Sequence, residues 1–110
     1  MTTPYTLLDD IVHQVETPPD GTLSRTIHLD DRLKVVLFGF SAGQELSEHT
    51  SSTPAIMHFL SGEADVTLGQ DKVAATAGTW IHMPAQLPHS ITTKTPVVML
   101  LSLLKKPDAV

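Results

Sequence analysis

At 110 residues, with 41% apolar content and no cysteine, the chain has room for one domain with a buried core, and for neither a disulfide framework nor a thiolate metal site. The net charge of −5 is spread without runs, which argues against nucleic acid and against an anionic membrane surface as partners. Eight prolines, six glycines and few aromatic residues fit short strands joined by turns better than a helical bundle.

The opening Met-Thr-Thr-Pro-Tyr lacks the basic region and long apolar core of a secretion signal, and no apolar run approaches membrane-spanning length. A soluble, cytoplasmic protein is expected. Residues 1–20 form an N-terminal arm to a domain occupying 1–110. Leu7, Leu8, Ile11 and Val12 recur at helical spacing before the breaker Thr17-Pro18-Pro19-Asp20-Gly21, so a short helix and an irregular arm are both open.

Residues 22–29 alternate weakly and read as a strand, turned by Asp30-Asp31. Residues 33–40 are rich in β-branched and aromatic side chains and read as a second strand, ended by Ser41-Ala42-Gly43. Two more follow at 45–51 and 54–61, divided by Ser51-Ser52-Thr53-Pro54. Residues 63–68 set Ala64, Val66 and Leu68 against Asp65 and Thr67, as a half-exposed strand should. Gly69-Gln70-Asp71-Lys72 then turns a hairpin whose return is 73–76, and strands at 79–83 and 90–94 flank a loop at 84–88. Strands recurring roughly every eight to twelve residues with turn signals between them imply an all-β antiparallel sandwich or barrel. The last strand, 97–104, is apolar on both alternating faces. One face can join the core; the other implies either a homodimer formed through Val97–Leu104 or cover by the arm through Leu7, Leu8 and Ile11.

Within this pattern two stretches carry chemistry. In the first, Gly43 is followed by five residues, His49, and after a polar turn and an apolar run, Gly62. In the second, Gly78 is followed by five residues, Pro84, and five positions later His89. The two stretches resemble the paired motifs of the cupins. The first of these reads Gly, five residues, His-x-His, three or four residues, Glu, six residues, Gly; the second reads Gly, five residues, Pro-x-Gly, two residues, His. Gly43, His49, Gly62, Gly78, Pro84 and His89 stand in register. Ser51 replaces the second histidine, Ala55 the glutamate, and Gln86 the glycine of the second motif. The resemblance covers roughly residues 33–104 and implies a cupin-type double-stranded β-helix, a jelly-roll barrel of the small RmlC-like kind.

In a strand, residues two apart share a face, so His49 and Ser51 project together, and the resemblance points them into the barrel. A pocket lined by His49, Ser51, Ala55, Met57, Phe59 and His89 follows. It holds two imidazoles where the family's ligand set has three and a carboxylate, and two neutral histidines alone should hold a divalent ion weakly. A third ligand would have to come from His82 or His58; simple alternation points His58 away from the pocket and leaves the facing of His82 open. Glu48 falls on the opposite strand face to His49, and His13 and His28 have no supporting context.

Two functions compete. One is a binding cupin that receives a small organic ligand on His49 and His89, with no certain cofactor. The other is a metal-dependent enzyme resembling cupin dioxygenases, decarboxylases or isomerases, in which zinc, nickel, iron or manganese sits on His49, His89 and one further histidine. A third reading, an assembly module built on the 97–104 strand, belongs to a different class.

Overall fold

The computed structural model describes residues 4–106. Nine strands follow one short 3₁₀ turn at Ile11–His13: β1 Thr22–Leu29, β2 Leu33–Phe40, β3 Glu45–His49, β4 Ala55–Ser61, β5 Ala64–Leu68, β6 Asp71–Ala75, β7 Trp80–Met83, β8 His89–Thr93 and β9 Val97–Leu104. They build a five-stranded sheet in the order β1-β2-β9-β4-β7 and a four-stranded sheet in the order β3-β8-β5-β6, all pairs antiparallel. Among the described residues no ladder joins the two sheets, so the jelly roll is a sandwich with open seams rather than one closed cylinder. No helix among the described residues is long and apolar enough to cross a membrane.

The core lies between the inner faces and follows alternation along most of each strand, broken where the register shifts in β1, β3 and β4. Ala55, Met57 and Phe59 of β4 are buried, as are Met83, Val66, Ile91, Val97, Met99 and Phe40, and Leu46, Leu68 and Leu87 pack against them. Strands β1, β2 and β9 have the bounds that composition implied, because their runs are long and end at turn residues. The β5–β6 hairpin is tighter than read. Gly69 takes a φ of +62°, Leu68 pairs with Asp71, and β6 therefore begins two residues earlier. Glycine at the first central position is what a two-residue type II′ turn requires.

The arm resolves into one 3₁₀ turn within irregular chain. The helical spacing of Leu7, Leu8, Ile11 and Val12 is not used. The carboxylate of Asp10, which would have to cap the turn, accepts instead from the ring of His13 at 2.7 Å, and Asp10 itself is left-handed at φ +54°. Residues 14–17 cross the outer face of β1 and β2. The Arg25 guanidinium donates to the Gln14 carbonyl at 3.0 Å, and a Cβ on Gly39 would stand 2.8 Å from the Glu16 carbonyl, so only glycine lets the arm come this close. Leu37, on that outer face, is fully buried. Cover therefore comes from residues 12–17 and, beside Leu33 and Val35, from Leu8, while Leu7 stays exposed.

Candidate functional site

His49 and His89 sit directly opposite one another where β3 pairs with β8. Their ring centroids are 4.2 Å apart, with the planes inclined by 59°. His89, on a strand flanked by β3 and β5, is 6% exposed; His49, at the last residue of an edge strand, is exposed at the rim. The pair thus sets one buried ring beside one exposed ring.

The facing of His49 depends on a bulge. Leu46 pairs with Ile91 and packs against the core, yet His49, three residues on, pairs with His89 two residues away from Ile91. Ser47 and Glu48 together oppose the single residue Ser90. Without the extra residue Leu46 and His49 would lie on opposite faces; with it both face inward. Uninterrupted alternation reaches the right face for His49 only by placing Leu46 outside, and nothing in the local composition marks the bulge.

Both imidazoles are held the same way. The Nδ1 of His49 lies 2.7 Å from the Ser47 carbonyl, and the Nδ1 of His89 lies 2.9 Å from the Leu87 carbonyl. A carbonyl only accepts, so each Nδ1 carries the proton, and each Nε2 of the neutral ring keeps its lone pair free. Two tautomers are therefore fixed by backbone two residues upstream, a spacing the sequence contains but does not announce.

The other expected pocket residues fare differently. β3 ends at His49, and Ser51 lies beyond it in the loop to β4, where its hydroxyl sits 3.4 Å from that of Thr53 and accepts from the Thr53 amide at 3.3 Å. The Ser51 carbonyl accepts from the Gln86 amide at 2.8 Å and so ties the two loops at this end together. Ala55, Met57 and Phe59 share the inner face of β4, where they are packed core. The candidate third ligand is what the structure corrects: His58 faces away, as alternation indicated, and so does His82, whose facing was open. They alternate with the buried Met57, Phe59 and Met83, pair with Trp80 and Ile56 on the outer face of the five-stranded sheet, and cannot reach the imidazole pair. His28, read as lacking context, is half-buried and bonded to Asp30 at 2.7 Å.

With this geometry in place, comparison with known proteins decides the family. The family model described as "Cupin domain" matches residues 36–103, more than half of the chain. The chain belongs to the cupin family. A crystal structure of a conserved protein of unknown function from Streptococcus pyogenes is 32% identical over 99% of this chain and 93% of that one, with a TM-score of 0.82. A cupin superfamily protein from Desulfitobacterium hafniense is 24% identical over 96% and 95% of the two chains, at a TM-score of 0.83. The fold alone is shared with a salicylate 1,2-dioxygenase from Pseudaminobacter salicylatoxidans, 13% identical over 76% of this chain and 26% of that one, at a TM-score of 0.72. No curated protein matches the chain.

The cupin motifs can now be read on the backbone. Gly43, Gly62 and Gly78 all adopt positive φ, at +75°, +88° and +95°. Gln86, at the motif position that calls for glycine, keeps a left-handed φ of +69° although it has a side chain. The turn takes the left-handed backbone with a side chain in place, at some cost in strain. A divalent metal, as implied by cupin motifs, does not fit as a three-ligand centre here. Ser51 and Ala55 supply no strong donor, His58 and His82 face away, and among the described residues no group of three or more His, Cys, Asp or Glu side chains converges to hold an ion.

Proposed function

We propose that this cupin is a binding protein for a small organic molecule bearing hydroxyl groups, received at the sandwich mouth by His49 and His89. The observation that carries the reading is the adjacency of the two rings, each with its Nδ1 tied to backbone and its Nε2 free. Two neutral Nε2 lone pairs accept hydrogen bonds, so the complementary ligand donates them: a phenol, a vicinal diol or a catechol. A ligand of about eight non-hydrogen atoms held by two such bonds and partial burial reaches a Kd of about 1 mM. The rim position of His49 lets such a molecule enter without a lid opening.

The metal-dependent enzyme of dioxygenase, decarboxylase or isomerase type is the second reading. It rests on fold likeness, which cupins share across unrelated chemistries, and it lacks a third ligand. One experiment separates them. Catechol is titrated into the protein while the histidine Hε1 signals are followed by NMR, and zinc is titrated calorimetrically into the wild type and into Ser51→His/Ala55→Glu. Saturable catechol shifts at both His49 and His89, lost in His49→Ala, support the binding reading. Zinc bound by the wild type with sub-micromolar affinity would overturn it in favour of the enzyme.

A further inference from the structure

The arm encloses a second concave site, on the outer face of the larger sheet and separate from the imidazole pair. It is a groove of about 700 Å³ between residues 12–17 and the ends of β4 and β9 that carry Ser61 and Val98. Pairing fixes its floor. Gly39, Val98 and Ser61 stand in one row across β2, β9 and β4, and the arm rests on the first of them through the Glu16 carbonyl. Ser61 reaches this face by a register shift: Phe59 pairs with Met99, and Ser61, two residues on, pairs with Val98, only one residue away. Unbroken alternation would put Ser61 inside with Phe59; the extra residue turns it outward. Val12 and Val15 of the arm and Val98 of the floor supply apolar walls.

We propose that this groove binds a small organic cation, an ammonium group carried on an apolar body. Its polar lining is His13, Glu16, Thr17 and Ser61, and no lysine or arginine lines it. Among the described residues, no hydrogen bond or ion pair engages the Glu16 carboxylate or the Thr17 and Ser61 hydroxyls. The ring of His13 is engaged on one side, its Nδ1 lying 2.8 and 2.7 Å from the two Asp10 carboxylate oxygens. A carboxylate only accepts, so the proton is on Nδ1 and the neutral ring keeps Nε2 as an acceptor. The groove therefore offers one free negative charge and several acceptors, and no positive charge. An ammonium brings N–H donors and no acceptor, so each of these groups suits it; an anion of the same size would face Glu16 with only hydroxyls to bond its charge. The net charge of −5 works in the same direction at longer range. An alkyl or arylalkyl body then covers the three valines, as the apolar part of a small-molecule site does. The imidazole pair selects a neutral donor; this groove selects charge.

Phenethylammonium is the probe, with phenethyl alcohol as its neutral counterpart and hydrocinnamate as its anionic one. Each is titrated into the full chain at a pH of about 8, above the ordinary histidine range, while the histidine Hε1 signals are followed by NMR. The expected result is a saturable shift of the His13 signal with a Kd of about 1 mM for the ammonium, about fivefold weaker binding of the alcohol, and none of the anion. Glu16→Gln keeps the backbone carbonyl against Gly39 and removes the charge. It weakens ammonium binding about fivefold, to the level of the alcohol, while the free variant keeps the wild-type His49 and His89 signals as proof of an intact fold. A His13 signal that the ammonium leaves unmoved overturns the proposal. Equal binding of ammonium and alcohol does so too, as does a Glu16→Gln variant that binds like the wild type. A shift at His49 and His89 in place of His13 also overturns it, since it would assign the cation to the other site.

Discussion

Two motif glycines, Gly43 and Gly62, differ in what they are needed for, and substituting each by alanine separates the reasons. At Gly43 φ is +75° and a new Cβ would meet nothing within 4 Å, so only the left-handed backbone is penalised. That penalty is about 1–2 kcal/mol, reduced by roughly 0.5–1 kcal/mol because alanine has less freedom to lose on folding, which leaves a net cost of about 1 kcal/mol. At Gly62 φ is +88° and the same Cβ would stand 2.1 Å from the Pro96 carbonyl oxygen and 2.9 Å from the Val97 Cα, against roughly 3.5 Å for an ordinary contact. The neighbours are backbone at the entrance to β9, the central strand of its sheet, and Val97 is fully buried. Relief therefore means moving the start of that strand by about 1 Å, a distortion of the kind that costs a further 1–3 kcal/mol. Urea unfolding followed by circular dichroism should place Gly62→Ala about 2 kcal/mol below Gly43→Ala in stability. Equal losses for the two variants would refute the close approach between the β4–β5 turn and β9.

The histidine pair should divide in stability while agreeing in function. His89→Ala removes a buried ring and leaves the Leu87 carbonyl without its donor, costing about 2–4 kcal/mol in the same unfolding assay, whereas His49→Ala at the exposed rim costs below about 1 kcal/mol; the reverse order would contradict their burial. Gln86→Gly relieves a left-handed residue while keeping its amide bond to Ser51, and should stabilise by up to about 1 kcal/mol; a loss would mean the glutamine side chain is needed. The Asp30 carboxyl is held below the usual carboxylate range, first by its bond from His28 and next by the Arg32 amide. Its folded-state affinity for protons is thus lowered, so its contribution is present at neutral pH and is lost as pH falls through the carboxylate range. Thermal unfolding from pH 7 to pH 3 should show Asp30→Asn less stable than wild type at pH 7, with the gap closing in acid; a gap independent of pH would refute the assignment.

Much of the fold was legible because the chain is patterned by simple alternation. The long runs 22–29, 33–40 and 97–104 gave their own ends, and the motif positions Gly43, Gly62 and Gly78 fall where the backbone takes positive φ. What alternation cannot carry is a break in its own count. The extra residue at Ser47–Glu48 sets both Leu46 and His49 inward, and its signal lies in the pairing with β8, not in β3. The same limit explains Ser51, which two-residue parity placed beside His49 but which falls past the end of the strand into a turn with Thr53. His82 needed the register with Ile56 to be placed on the outer face, since its neighbours in sequence are apolar on both sides. Of the two readings the sequence left open for the cover of this sheet, the structure shows the arm, which packs on Arg25 of β1 and Gly39 of β2.

The proposed function rests on two imidazoles serving as one acceptor pair. Long-range ¹H–¹⁵N correlation of the histidine rings at pH 8, recorded with and without catechol, reads the proton on each nitrogen. It should show protonated Nδ1 and bare Nε2 at both His49 and His89, with the two Nε2 resonances moving together along one binding curve. A proton on either Nε2 in the free protein, or movement at one ring without the other, would contradict it.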